Sequence, residues 1–235
     1  MEAILSNVWN NSLEYYTSID TVSDLRKQQA DIISRVIDIN SLDRIEIIET
    51  GASQNFSDGC FGLFLAHLAE ERGGKFSSVD LEENILSKSI NIYKEMLPNL
   101  EVSSFLEDSV EFLRRYNGKP TIVHLDSYDL NIYDPEPSML HGFLEFLEIK
   151  DKMDSGSYII VDDNFMRGTC IYWNIYQNGE LKETKEYNVE QEILGKGSMI
   201  YHYCRKDNSE WEIMADMLEE GPLRWKNQKL ILRKK

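Results

Sequence analysis

Histidine, cysteine, glycine-rich loops and long apolar runs are all scarce in this chain, and each scarcity narrows what it can be. Three cysteines, Cys60, Cys170 and Cys204, stand far apart in 235 residues, so neither a disulfide framework nor a zinc cluster is indicated, and a reducing cytoplasm suits the chain. No apolar run approaches the roughly 20 residues of a membrane span. The opening "MEAILSNVWNNSLEYY" has neither a basic leader nor a sustained apolar core, which points to a soluble, unexported protein. Positive charge is short as well: 25 Lys and Arg against 41 Asp and Glu leave −16. That balance disfavours nucleic acid and anionic membranes as partners. The closing "GPLRWKNQKLILRKK" runs the other way with six basic residues and no acid, and reads as a basic terminal strand against an acidic body.

Strand-like and helix-like segments alternate through most of the chain. Residues 1–43 form a helical addition, in which Ser23 caps a helix whose apolar positions are Leu25, Ala30, Ile32, Ile33, Val36 and Ile37. Residues 44–235 form the main domain. There "RIEIIET", "KFSSVDL", "LEVSSFLE", "TIVHLDSY" and "SYIIVDDNF" are strands with helical segments between them. Runs such as "TIVHL" and "SYIIV" are apolar almost throughout, as in parallel strands covered on both faces. Beyond residue 165 the expectation is a strand "SMIYHYC", a capped helix "NSEWEIMADMLEE" and a final strand "QKLILRK". The fold class is therefore α/β and Rossmann-like, a mostly parallel seven-stranded sheet with an antiparallel C-terminal edge.

In such a sheet, ligands bind at the carboxyl ends of the strands. The first turn carries Glu49, Thr50, Gly51, Ala52 and Ser53, and the dinucleotide pattern G-x-G-x-x-G is missing, since Ser53 and Phe56 stand at the later glycine positions. No P-loop Gly-Lys-Ser/Thr follows a strand. A pyrophosphate is thus disfavoured, and a cofactor ending in an amino-acid group suits the turn better. Glu49 is placed to face a ligand ammonium, Asp80 to accept ribose hydroxyls, and Asp108 and Ser109 to meet an adenine edge. The plain alternative is that Asp80 is a helix N-terminal acid and Gly51 a turn glycine.

The segments "IEIIETGAS", "SVDLEEN", "LEDSVEFL" and "TIVHLDSYDL" together resemble class I S-adenosylmethionine-dependent methyltransferases over residues 44–165. The resemblance implies S-adenosylmethionine as cofactor. Glu49, Gly51, Ala52 and Ser53 would surround its methionine part, Asp80 with Leu81 its ribose, Asp108 and Ser109 its adenine, and Asp126 would border it. The loop 54–59, with Ser57 and Asp58, is longer than in the simplest members.

The fourth and fifth strands end in Asp126 and in Asp162–Asp163–Asn164. Such a set of oxygen ligands suits a hard cation such as Mg²⁺, although aspartates at strand ends also bond turn amides. "HLDSYDL" and "GSYIIVDDNF" look similar to the metal-dependent sugar O-methyltransferases of the macrocin type. That resemblance implies Asp126, Asp162 and Asp163 as metal ligands, with Asn164 as a substitute. The base lysine of the catechol type is replaced by Asp129, so Asp129 and His141 are the candidate proton acceptors, and His124, inside an apolar strand, is a core residue. "FMRGTCIYWNIYQNG" either walls the site or packs in the core through Tyr172, Trp173 and Tyr176.

The expected activity is Mg²⁺-dependent methylation of a hydroxyl on a small molecule or sugar, with a homodimer as one possible assembly. Metal-independent methyl transfer and a catalytically silent module of the same fold remain open alternatives.

Overall fold

In the computed structural model, the described residues are 2–38, 42, 45–53, 60–177, 180–206, 209–214 and 229–235; the side chains of 2–9, 25, 173, 174 and 176 fall outside the description. The loop 54–59 with Ser57 and Asp58, and the side chains of Trp173 and Tyr176, therefore lie outside the described residues.

Helices α1 (Glu2–Ser18) and α2 (Asp24–Val36) come first, and the Ser23 hydroxyl caps α2 by accepting the Arg26 amide. Strands β1 (Glu46–Thr50), β2 (Lys75–Asp80), β3 (Glu101–Leu106), β4 (Ile122–Leu125) and β5 (Tyr158–Val161) then alternate with helices α3 (Phe61–Glu71), α4 (Glu83–Met96), α5 (Ser109–Arg115) and α6 (Glu136–Ile149). The five strands are parallel in the order β3-β2-β1-β4-β5. Every residue of β1, β4 and β5 is buried, because helices cover both faces of the sheet. Helix α3 is apolar nearly all round: its first nine residues are buried, sandwiched between the sheet and the N-terminal helices. Those helices join the same core through Tyr16, Val22, Ala30, Ile33 and Ile37.

After β5 the chain forms β6 (Asn164–Met166), β7 (Cys170–Gln177), β8 (Glu180–Asn188), β9 (Ile193–Gly195), α7 (Ser198–Cys204), β10 (Trp211–Ile213) and β11 (Leu230–Lys234). Strand β11 runs antiparallel between β5 and β10 and completes a seven-stranded sheet of order β10-β11-β5-β4-β1-β2-β3. Two expectations are corrected here. "SMIYHYC" is α7, because Ser198, Ile200, Tyr201 and Cys204 are its buried residues and that spacing is one helical face. The segment around Trp211 is the edge strand β10 rather than a helix start; the remainder of the expected helix, 215–220, lies outside the described residues. The aromatic-rich stretch supplies β6, which pairs with β9, and β7, which forms a separate hairpin with β8. On that hairpin Tyr172 is exposed and not part of the core.

Candidate functional site

Gly51 closes β1 with φ +80°, and a side-chain carbon there would stand 2.4 Å from the Asp126 carbonyl oxygen. Only glycine allows the β1 turn to approach the end of β4 this closely. The turn lies at the base of a cavity of about 320 Å³, lined in sequence by Gly51–Ser53 after β1, Asp80–Glu82 after β2, Glu107–Ser109 after β3 and Asp126–Asp129 after β4. Arg26 of α2, Phe61 of α3, His141 of α6 and Asp163 also line it.

Asp80 connects two of these turns. Its Oδ2 accepts the Ala52 amide at 2.8 Å and its Oδ1 accepts the Glu82 amide at 2.7 Å. Each carboxylate oxygen has a second lone pair to offer a hydroxyl. Leu81, beside it on the cavity wall, is 68% exposed. Asp108 caps α5 by accepting the Glu111 amide. Ser109 is buried, with its hydroxyl 3.0 Å from His141 Nε2 and 3.3 Å from the Ser127 hydroxyl. Ser127 in turn donates to Glu145 at 2.7 Å. His141 thus belongs to a polar cluster at the β3 end, with the Tyr128 ring 5.4 Å away, a grouping that sequence spacing does not reveal.

Glu49 is not on the cavity wall, which corrects its assignment to the ligand ammonium. Its side chain is fully buried on the face that carries Ser78 and His124 in the neighbouring strands. The Ser78 and Tyr93 hydroxyls each donate to Oε2 at 3.0 Å. Burial pushes its carboxyl up to about 8; those two bonds oppose the shift, and Asp126 and Asp80 add to it. Gly62 makes room for the group, since a side-chain carbon there would lie 1.8 Å from Oε1.

The strand-end aspartates are neutralised by the chain's own cations. Lys196 Nζ is 2.8 Å from Asp126 Oδ1, 3.1 Å from the Asp126 carbonyl oxygen and 3.1 Å from Asp163 Oδ2. Asp162 is buried and not on the cavity wall; Lys229 Nζ lies 2.5 Å and Arg26 Nη1 3.0 Å from its Oδ2, while Oδ1 accepts the Asp163 amide. Burial opposes ionisation of Asp162, yet Lys229 and Arg26 hold it well below the usual carboxylate range. Burial pushes Asp126 up to about 7; Lys196 opposes the shift, and Asp162 and Asp163 reinforce it. His124 is buried and neutral, its ring driven well below the usual range by burial and by Lys229. Asn164 is structural: it donates to the Val161 and Asp162 carbonyls at 2.9 Å and accepts the Gly197 amide at 2.7 Å.

These residues do not fit Mg²⁺. One atom each from His124, Asp126 and Asp162 lie within 4.8 Å of one another, but an ion drawing on Asp126 and Asp163 would compete with an ammonium already bonded to both. Asp162 is committed to a different pair of cations. Lys196, Lys229 and Arg26 were not anticipated from the sequence. The available signal was Gly195-Lys196-Gly197, a lysine in a glycine turn between apolar segments.

A second cavity, of about 540 Å³, adjoins the first and shares Asp129 and Asp163 with it. Leu130, Ile132, Phe165 and Ile171 give it an apolar wall. Asp129 is exposed where the two cavities meet.

No family model matches the sequence, and no curated protein matches it. Among solved structures the fold is similar to magnesium protoporphyrin IX methyltransferase from Synechocystis PCC 6803 with bound S-adenosylmethionine. That match has a TM-score of 0.50 and 12% identity over 89% of this chain and 79% of that one. It is also similar to a Streptococcus mutans protein assigned as a methyltransferase, in complex with S-adenosylhomocysteine, at TM-score 0.51 and 15% identity over 87% of this chain and 97% of that one. A Clostridium thermocellum protein assigned as an rRNA methylase matches at TM-score 0.50 and 9% identity, covering 86% and 94% of the two chains. The chain has the class I methyltransferase fold. At these identities the likeness concerns the fold, and function rests on the site.

Proposed function

We propose that this protein transfers the methyl group of S-adenosylmethionine to a hydroxyl of a small molecule. The observation that carries the reading is Asp80, anchored by two backbone amides at the end of β2 and facing a cavity between the Gly51 turn and the β3 end. In that frame the methionine part lies along Gly51–Ser53, in the cavity that Arg26 also lines, and Asp80 receives the ribose hydroxyls. The adenine sits between Leu81 and the Asp108–Ser109 edge. His141, hydrogen-bonded to Ser109, then serves the adenine side rather than the proton transfer.

The acceptor occupies the adjoining cavity, whose apolar wall and carboxylate rim suit a molecule with one apolar face and a hydroxyl, such as a sugar. The acceptor oxygen attacks the sulfonium methyl in line: the O–CH₃ bond forms as the S–CH₃ bond breaks, leaving a neutral thioether, and the hydroxyl proton passes to Asp129. Orientation supplies most of the acceleration. No step runs through a divalent ion. One structural neighbour is assigned to rRNA, but a net charge of −16 and carboxylates at the junction of the cavities oppose a phosphate backbone here. Three cysteines, too few and too far apart in sequence for a disulfide framework, support action in the cytoplasm.

The test is calorimetric titration with S-adenosylhomocysteine, with and without Mg²⁺. Micromolar binding of equal strength in both is expected. Absence of binding in both would leave a silent module of the same fold.

A further inference from the structure

We infer that Lys196 is a built-in counter-cation that occupies the position a divalent metal would take between Asp126 and Asp163, and that it positions both carboxylates at the junction of the two cavities.

Three observations converge. First, the ammonium is fully engaged: it donates to Asp126 Oδ1 and to the Asp126 carbonyl at 2.8 and 3.1 Å and forms an ion pair with Asp163 Oδ2 at 3.1 Å. The side chain is only 3% exposed, and an ammonium is buried to that degree only where it is paired. Second, the carboxyl groups and cations match in number. Asp126, Asp162 and Asp163 face Lys196, Lys229 and Arg26, three against three. A divalent ion would add two positive charges to a largely buried cluster in which each carboxyl group already has a cation.

Third, the backbone is shaped to deliver this lysine. Gly195 has φ +138°, and a side-chain carbon there would meet the Asp163 carbonyl oxygen at 1.9 Å. At Gly197 it would come within 2.7 Å of Asn164 Oδ1, and at Gly142 of α6 within 2.8 Å of the Lys196 carbonyl oxygen. Asn164 ties this turn to the end of β5 through the Gly197 amide. Three glycines and one asparagine thus hold the segment against the strand ends, with Lys196 Nζ where the two carboxylates converge.

The inference stands on this carboxylate geometry and not on the cofactor reading, so the two fail separately. Mn²⁺ serves as the probe, titrated by calorimetry into the full chain and into Lys196→Met and Lys196→Gln, with circular dichroism melting to verify folding. The wild type is expected to bind no Mn²⁺ below about 1 mM, the weak end for oxygen sites. At least one folded variant is expected to bind one ion per chain at least tenfold more tightly, and adding Asp163→Asn should abolish that gain. A lysine that merely filled space would create no such site on removal.

Stoichiometric Mn²⁺ binding by the wild type that Asp163→Asn removes would overturn the inference without recourse to any Lys196 variant. So would folded Lys196 variants that remain blind to the ion. A parallel S-adenosylhomocysteine titration that shows no binding would count against the proposed activity while leaving Lys196 as assigned.

Discussion

Asp80 Oδ2 accepts the Ala52 amide at 2.8 Å, and this bond ties the end of the second strand to the turn that closes the first. If Asp80 also receives ribose hydroxyls, Asp80→Ala removes charge-assisted hydrogen bonds worth about 1–3 kcal/mol. Affinity for S-adenosylhomocysteine should then fall by a factor of roughly 5 to 150. Calorimetry reads the change directly, and an unaltered affinity would remove Asp80 from the site.

Gly62 and Glu49 share one space. Because a side-chain carbon at Gly62 would stand 1.8 Å from Glu49 Oε1 and 2.4 Å from the Tyr93 hydroxyl, Gly62→Ala should cost about 1–3 kcal/mol by overpacking. In a Glu49→Ala background much of that cost should vanish, so urea denaturation of the four proteins in the cycle should reveal non-additivity. Strict additivity would mean the two positions do not compete.

The buried Glu49 carboxyl sets a pH dependence. Its folded-state value, about 8, lies above the ordinary carboxylate value near 4.5, so between these limits the folded protein holds a proton that the unfolded chain has released. Stability contributed by that proton is fully present below pH 4.5 and is lost as pH rises toward 8, at up to about 1.4 kcal/mol per pH unit. Asp126, pushed up to about 7, adds a slope of the same sign. Glu49→Gln should flatten the decline, and the stability difference between variant and parent should move in favour of glutamine from pH 5 to pH 8. A constant difference over that range would refute the protonated state.

Lys229 is 0% exposed and Asp162 1% exposed, and they meet at 2.5 Å. Burial draws the Lys229 ammonium below its usual range, a cost that Asp162 offsets. Removing Lys229 leaves the buried Asp162 with Arg26 as its remaining cation, so Lys229→Met should destabilise by about 1–3 kcal/mol, less than the loss expected for a fully unpaired buried charge. The double variant Lys229→Met/Asp162→Asn should lose less than the sum of the two single changes, as measured by chemical denaturation.

The parallel half of this fold is legible in the sequence because its strands are short apolar runs separated by well-patterned helices, and the strand ends at Gly51, Asp80 and Asp108 could be located from that alternation alone. The C-terminal part was harder for a physical reason. Seven residues, "SMIYHYC", rich in tyrosine and apolar groups, satisfy a strand pattern as readily as two turns of helix, and only packing of Ile200, Tyr201 and Cys204 against the core selects the helix. The charge cluster was illegible for another reason: Arg26, Asp162 and Lys229 are brought together by tertiary structure across more than half the chain. An aspartate at a strand end looks the same in sequence whether its counter-ion is a metal or a distant lysine. Glu49 misled in a similar way, since alternation within β1 assigns it a face but not whether that face is roofed by Gly62 and Tyr93.

The convergence of Arg26, Asp162 and Lys229 on one oxygen fastens three remote parts of the chain at a single point: helix α2, the end of β5 and the residue that precedes β11. The N-terminal helices and the antiparallel edge strand are thereby tied to the parallel sheet by a shared anion as well as by apolar packing.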